Sequence, residues 1–81
     1  MSVAVVTGVA GGIGSALAER LAEQGHAIVA ADLAPGVDDV AEHLRARGHE
    51  AVGVRADLTE ASGRADVLRV AAEHGPIDVL V

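Results

Sequence analysis

The sequence has 81 residues, a net charge of −6, 51% apolar residues, no aromatic side chain and no cysteine. That length allows one small domain whose core is built from Val, Leu, Ile and Ala, and without cysteine it can hold neither a disulfide framework nor a thiolate metal site. Its six basic residues are all Arg and nowhere form a basic cluster, which argues against a nucleic-acid partner. No apolar run approaches the roughly 18 residues of a membrane span.

The first stretch, Val3 to Gly14, is an apolar β-type run that breaks into Gly8, Gly11, Gly12 and Gly14 before an Ala/Leu-rich helical pattern. A strand, a tight turn and a helix start are expected. The first amides of a helix lack internal acceptors and carry the positive end of its dipole, so this arrangement suits a phosphate. Gly8 is expected to turn the chain out of the strand, Gly12 to leave room for a pyrophosphate, and Gly14 to let helix and strand pack closely. A glycine turn alone can also bind nothing.

From Gly12 to Gln24 the residues Ile13, Leu17 and Leu21, with Ala16 beside them, form one helical stripe, and Gly25 suits the C-terminal cap. His26 to Ala31 reads as a second strand, apolar on both faces as a parallel strand between helices should be. Asp32 follows it, eighteen residues after Gly14 (32 − 14). An acidic residue about 20 residues beyond a glycine turn is the second half of a dinucleotide fingerprint, its carboxylate accepting hydrogen bonds from the adenosine ribose.

Ala34-Pro35-Gly36 is a turn signal. After it Val37, Val40, Ala41 and Leu44 mark a second helix, with Asp38 and Asp39 in its first turn, Arg45 and Arg47 in its last, and Gly48 beyond. A third strand, about Ala51 to Ala56, leads to Asp57-Leu58-Thr59. Thr59 is the expected N-cap of a third helix with the stripe Ala61, Ala65, Leu68 and Ala72, which Gly63 weakens near its start and Gly75-Pro76 ends. Ile77 to Val81 reads as a fourth strand.

This β-α-β-α-β-α-β order with short connections predicts an α/β fold, a doubly wound parallel sheet of the Rossmann type with strand order 3-2-1-4. The crevice lies where the order reverses, at the carboxyl ends of the first and fourth strands, where Gly8 to Gly14 belong.

These residues resemble the N-terminal half of a short-chain dehydrogenase/reductase. Thr7-Gly8-Val9-Ala10-Gly11-Gly12-Ile13-Gly14 fits that family's Thr-Gly-x-x-x-Gly-x-Gly cofactor motif, and Asp57 fits its acidic residue beside the adenine pocket. Gly75 to Val81 fits the approach to its Asn-Asn-Ala-Gly motif. Gly8, Gly11 and Gly14 also satisfy Gly-x-x-Gly-x-x-Gly, the spacing of the family's extended, nucleotide-sugar-modifying branch; Gly75 to Val81 resembles the shorter branch.

The resemblance implies a nicotinamide cofactor held by Gly8, Ala10, Gly11, Gly12, Ile13, Gly14, Asp32, Leu33, Asp57 and Leu58, and an alcohol or carbonyl substrate. It also implies a Tyr-x-x-x-Lys pair and a Ser for proton transfer. The chain contains no Tyr and no Lys, so no catalytic residue is assigned within it, and it is read as the cofactor-binding part of a longer enzyme. The alternatives are a non-catalytic dinucleotide-binding module and an extended-branch epimerase or dehydratase. The whole protein is expected to be a cytoplasmic homo-oligomer acting on a small molecule.

NAD is expected over NADP, because Asp32 faces the place of a 2′-phosphate and no basic residue adjoins it in sequence: position 11 is Gly and Leu33 follows Asp32. Leu33 and Leu58 either cover the adenine or pack in the core. Asp57 either reads the adenine or caps the third helix. Thr7 either bonds within the turn or simply ends the strand. His26, His43, His49 and His74 have no metal-ligand spacing and are read as solvated or capping residues.

Overall fold

The computed structural model describes residues 2–81. Strands and helices alternate as β1 (Val3–Thr7), α1 (Gly12–Glu23), β2 (Ala27–Asp32), α2 (Gly36–Ala46), β3 (Ala51–Arg55), α3 (Ala61–His74) and β4 (Ile77–Leu80). The strands form one parallel sheet in the order β3-β2-β1-β4, the predicted Rossmann-like arrangement. Ends move by a residue or two: Gln24 caps α1, β2 runs on to Asp32, and β3 stops at Arg55.

The continuous apolar runs of β1 and β2 are explained by burial on both faces. Ala4, Val6, Ile28 and Ala30 point into a cluster with α1 and α2, while Val3, Val5, Val29 and Ala31 point into a second cluster under α3. The period-2 alternation of a strand thus divides one sequence run between two cores. Both helices on the first face end alike: the Gly25 and His26 amides donate to Ala22 and Leu21, and those of Gly48 and His49 to Arg45 and Leu44. Each glycine closes a Schellman cap that returns the chain to the sheet.

Two helical faces differ from expectation. In α1 the buried residues are Ala18, Leu21 and Ala22, with Leu17 beside them, whereas Ile13 is 89% exposed at the helix start. In α3 the expected stripe of Ala61, Ala65, Leu68 and Ala72 faces out, and Gly63, Val67 and Ala71 face in. Gly63 decides that rotation, because a Cβ there would collide with the Asp57 backbone carbonyl. The absence of a side chain, read from sequence as a weakness, is what lets α3 lie against the β3–α3 turn. Thr59 is not the N-cap either; Glu60 holds that position.

Candidate dinucleotide site

The turn between β1 and α1 follows from its glycines. Gly8 has φ +66, the left-handed region that glycine enters without a Cβ penalty. At Gly14 a Cβ would collide with the carbonyl of Gly8, so helix and turn meet backbone to backbone. Between them Val9 is fully buried and anchors the turn in the core, leaving Ala10, Gly11, Gly12 and Ile13 at the surface. A Cβ at Gly12 would meet nothing within 4 Å. The first amides of α1 therefore border open space, with no earlier turn of helix to accept them.

Asp32 stands across from this turn at the end of β2. Its Oδ2 accepts from the Ala10 amide at 3.0 Å and its Oδ1 from the Ala34 amide at 3.1 Å. One carboxylate thus joins the glycine turn to the β2–α2 turn, and a Cβ at Gly36 would be 3.5 Å from that of Ala10. The Ala34 and Ala10 amides hold the Asp32 carboxyl below the ordinary aspartate range against the opposing effect of burial. Asp32 is an anion aimed at the turn.

Asp57 occupies the third turn on the same edge of the sheet. Its Oδ1 accepts from the Thr59 hydroxyl at 2.6 Å and the Thr59 amide at 2.9 Å, and these bonds lower its pKa. The carboxylate shapes the turn before α3, both of its hydrogen bonds among the described residues going to Thr59 rather than to an amide of the helix. Leu33 is 63% exposed, which removes core packing as its role. Leu58 is partly buried against the cluster under α3, so packing does account for it. The Thr7 hydroxyl donates to the Val81 carbonyl at 2.8 Å, tying the ends of β1 and β4 together. No group of three or more His, Cys, Asp or Glu side chains among the described residues could hold a metal.

One neighbour of Asp32 is invisible in sequence order. The parallel register of β2 and β3 pairs Asp32 with Arg55, so a basic residue does adjoin it, contrary to the expectation drawn from positions 11 and 33. Two separate strands ending level in space is a tertiary fact that spacing does not reveal.

A family model described as short chain dehydrogenase matches residues 2–81. The chain belongs to the short-chain dehydrogenase family. It is 55% identical over 80 residues to cis-4-hydroxycyclohexanecarboxylate dehydrogenase of Sinomonas cyclohexanicum, covering 98% of this chain and 32% of that protein. Among solved structures, a short-chain dehydrogenase/reductase from Burkholderia phymatum in complex with NAD superposes with a TM-score of 0.92 at 36% identity, covering 98% of this chain and 29% of that one. A metagenomic short-chain oxidoreductase in complex with NADP gives 0.80 at 37% identity, covering 98% and 37%. The chain spans about a third of the length of the curated relatives it matches. The short-chain dehydrogenase glycine turn, with Asp32 opposite, has the open backbone edge and the anionic far wall that a nicotinamide dinucleotide fits.

Proposed function

We propose that the protein carrying this chain is an NAD-dependent oxidoreductase that transfers hydride between the nicotinamide and an alcohol or carbonyl of a small molecule. The chain supplies the N-terminal part of its single NAD(P)-binding domain. The observation that carries this reading is the Asp32 carboxylate facing the Ala10 amide across the crevice.

In this reading Gly8, Ala10, Gly11, Gly12, Ile13 and Gly14 form the pyrophosphate cradle, with the α1 amides as donors. Asp32 accepts from the ribose hydroxyls, exchanging its bond to the Ala10 amide for one to a hydroxyl. Leu33 lays exposed apolar surface along the adenine, Leu58 borders the same pocket, and the Asp57 turn meets the adenine edge. The cofactor supplies or takes the hydride. Proton transfer falls to residues outside these 81, which include neither Tyr nor Lys. The protein works in the cytoplasm as a homo-oligomer, and neither nucleic acid nor membrane enters the reaction.

The preference for NAD rests on charge. Two like charges about 4 Å apart repel by up to ~4 kcal/mol at an effective dielectric near 20. Even a third of that is roughly tenfold in affinity, since about 1.4 kcal/mol is a factor of ten. Titrating the intact protein with NADH and NADPH by nicotinamide fluorescence tests it: NADH binds at least about tenfold more tightly, and Asp32→Ala narrows or reverses the ratio. Equal binding of both cofactors before and after that change ends the argument. A hydroxycyclohexanecarboxylate heads the substrate panel, because the Sinomonas relative is named for one.

A further inference from the structure

The geometry points to Arg55 as a second determinant of cofactor choice, a cation beside Asp32 that receives a 2′-phosphate and limits how strongly the site rejects NADP. The inference rests on the placement of the adenosine ribose at Asp32. Residues paired in parallel strands point to the same side of a sheet, and Asp32 is paired with Arg55. The side is fixed independently for each strand. Ala30, two residues before Asp32, lies in the cluster with Val37 and Ala41 of α2. A Cβ at Gly53, two residues before Arg55, would approach Val37, Asp38 and Ala41. Both side chains therefore leave the sheet on the α2 side, at its carboxyl edge, from strands about 4.8 Å apart.

Among the described residues the guanidinium of Arg55 is uncommitted. Ion pairs among the described residues engage Arg47, Arg69 and His74, and the guanidinium groups of Arg45 and Arg64 donate to the Ala51 and Leu58 carbonyls. Arg55 is exposed and takes part in no such contact. Among the described residues no ion pair joins it to Asp32, whose carboxylate oxygens accept from the Ala10 and Ala34 amides. Besides Asp32, the same face carries Asp38, whose Oδ1 lies 3.0 Å from the Cβ position of Gly53. An always-charged, forked donor on a long side chain suits a phosphate monoester and has nothing comparable to offer a ribose hydroxyl, which separates the two cofactors.

The test places Arg55→Gln in the intact protein, alone and with Asp32→Asn, and reads NADH and NADPH dissociation constants by nicotinamide fluorescence. Asn keeps an oxygen for the Ala34 amide while removing the charge. In the Asp32→Asn protein, Arg55→Gln weakens NADPH by about three- to tenfold, the size of one charged phosphate contact at a wet site, and NADH by less than about twofold. Arg55→Lys recovers part of the NADPH affinity and Arg55→Gln alone shows the same selectivity. Unchanged NADPH binding, or equal loss of both cofactors, overturns the role of Arg55. Failure of the ribose placement reads differently: Asp32→Asn then leaves the NADH-to-NADPH ratio unchanged, whatever Arg55→Gln does.

Discussion

The two faces of the sheet are built from similar strand residues and finished differently. On one, α1 and α2 together close over Ala4, Val6, Ile28 and Ala30, and Leu44 and Val37 are fully buried between helix and strand. On the other, α3 alone covers Val3, Val5, Val29 and Ala31. Beyond its edge Leu68 is 50% and Leu80 69% exposed, and a groove of about 200 Å³ runs between β1, β4 and α3. β1 and β2 are buried along nearly their whole length, whereas β4 is mostly exposed. Packed under two helices, the closed face is the more rigid half and supports the Gly8 to Gly14 turn and the strand ending in Asp32, whereas the open face carries the Asp57–Thr59 turn and the Thr7–Val81 tie.

The strongest test of that contrast is Leu44→Ala. Its side chain is fully buried in the closed-face cluster, so truncation removes apolar contact and leaves a cavity, costing about 2–5 kcal/mol. Urea unfolding of the chain followed by circular dichroism measures it. A loss under about 1 kcal/mol means the closed face collapses easily and is not the rigid half. Gly63→Ala comes next and probes how α3 is seated. Alanine gains about 0.5–1 kcal/mol in helix propensity over glycine, but overpacking against backbone costs about 1–3. The collision with the Asp57 carbonyl makes the second effect larger, because backbone cannot swing aside as a side chain can. Net destabilisation is expected, and a raised melting temperature would show that α3 rides free of the β3–α3 turn.

Much of this was legible in the sequence because the closed face obeys simple patterns. The apolar runs of β1 and β2, the Gly8 to Gly14 turn and the acidic residue after β2 fixed element order, sheet order and the placement of Asp32 opposite the turn. What escaped detection depended on contacts between distant residues. The buried side of α3 is not readable from spacing because alanines fit either face of a helix equally well, and the choice falls to Gly63 through its close approach to the Asp57 backbone. Ile13 matched a helical stripe by spacing, yet it stands on the first turn, above the end of β1, where no core remains to receive it. Thr59 had N-cap chemistry, but the Asp57 carboxylate captured both its hydroxyl and its amide. Arg55 came next to Asp32 only through strand register.

The smallest effect sharpens the comparison most, because it separates stability from association. Leu68 lies on α3 but outside the Gly63–Val67–Ala71 face, so Leu68→Gln removes no core contact and changes stability by less than about 0.5 kcal/mol. The same side chain lines the groove with Leu80, on an apolar area adjoining the exposed edge strand β4. Contiguous apolar surface beside an unpaired strand edge drives chains together. The 81-residue chain is therefore expected to self-associate as its concentration rises, and Leu68→Gln to weaken that association while leaving the urea midpoint in place. Sedimentation velocity of both chains across a concentration series reads the first quantity and denaturant unfolding the second. If the substitution lowered stability as much as Leu44→Ala, the open face would belong to the core after all; if Ile13→Gln reduced association equally, exposure alone would be responsible and the groove would have no special part in it.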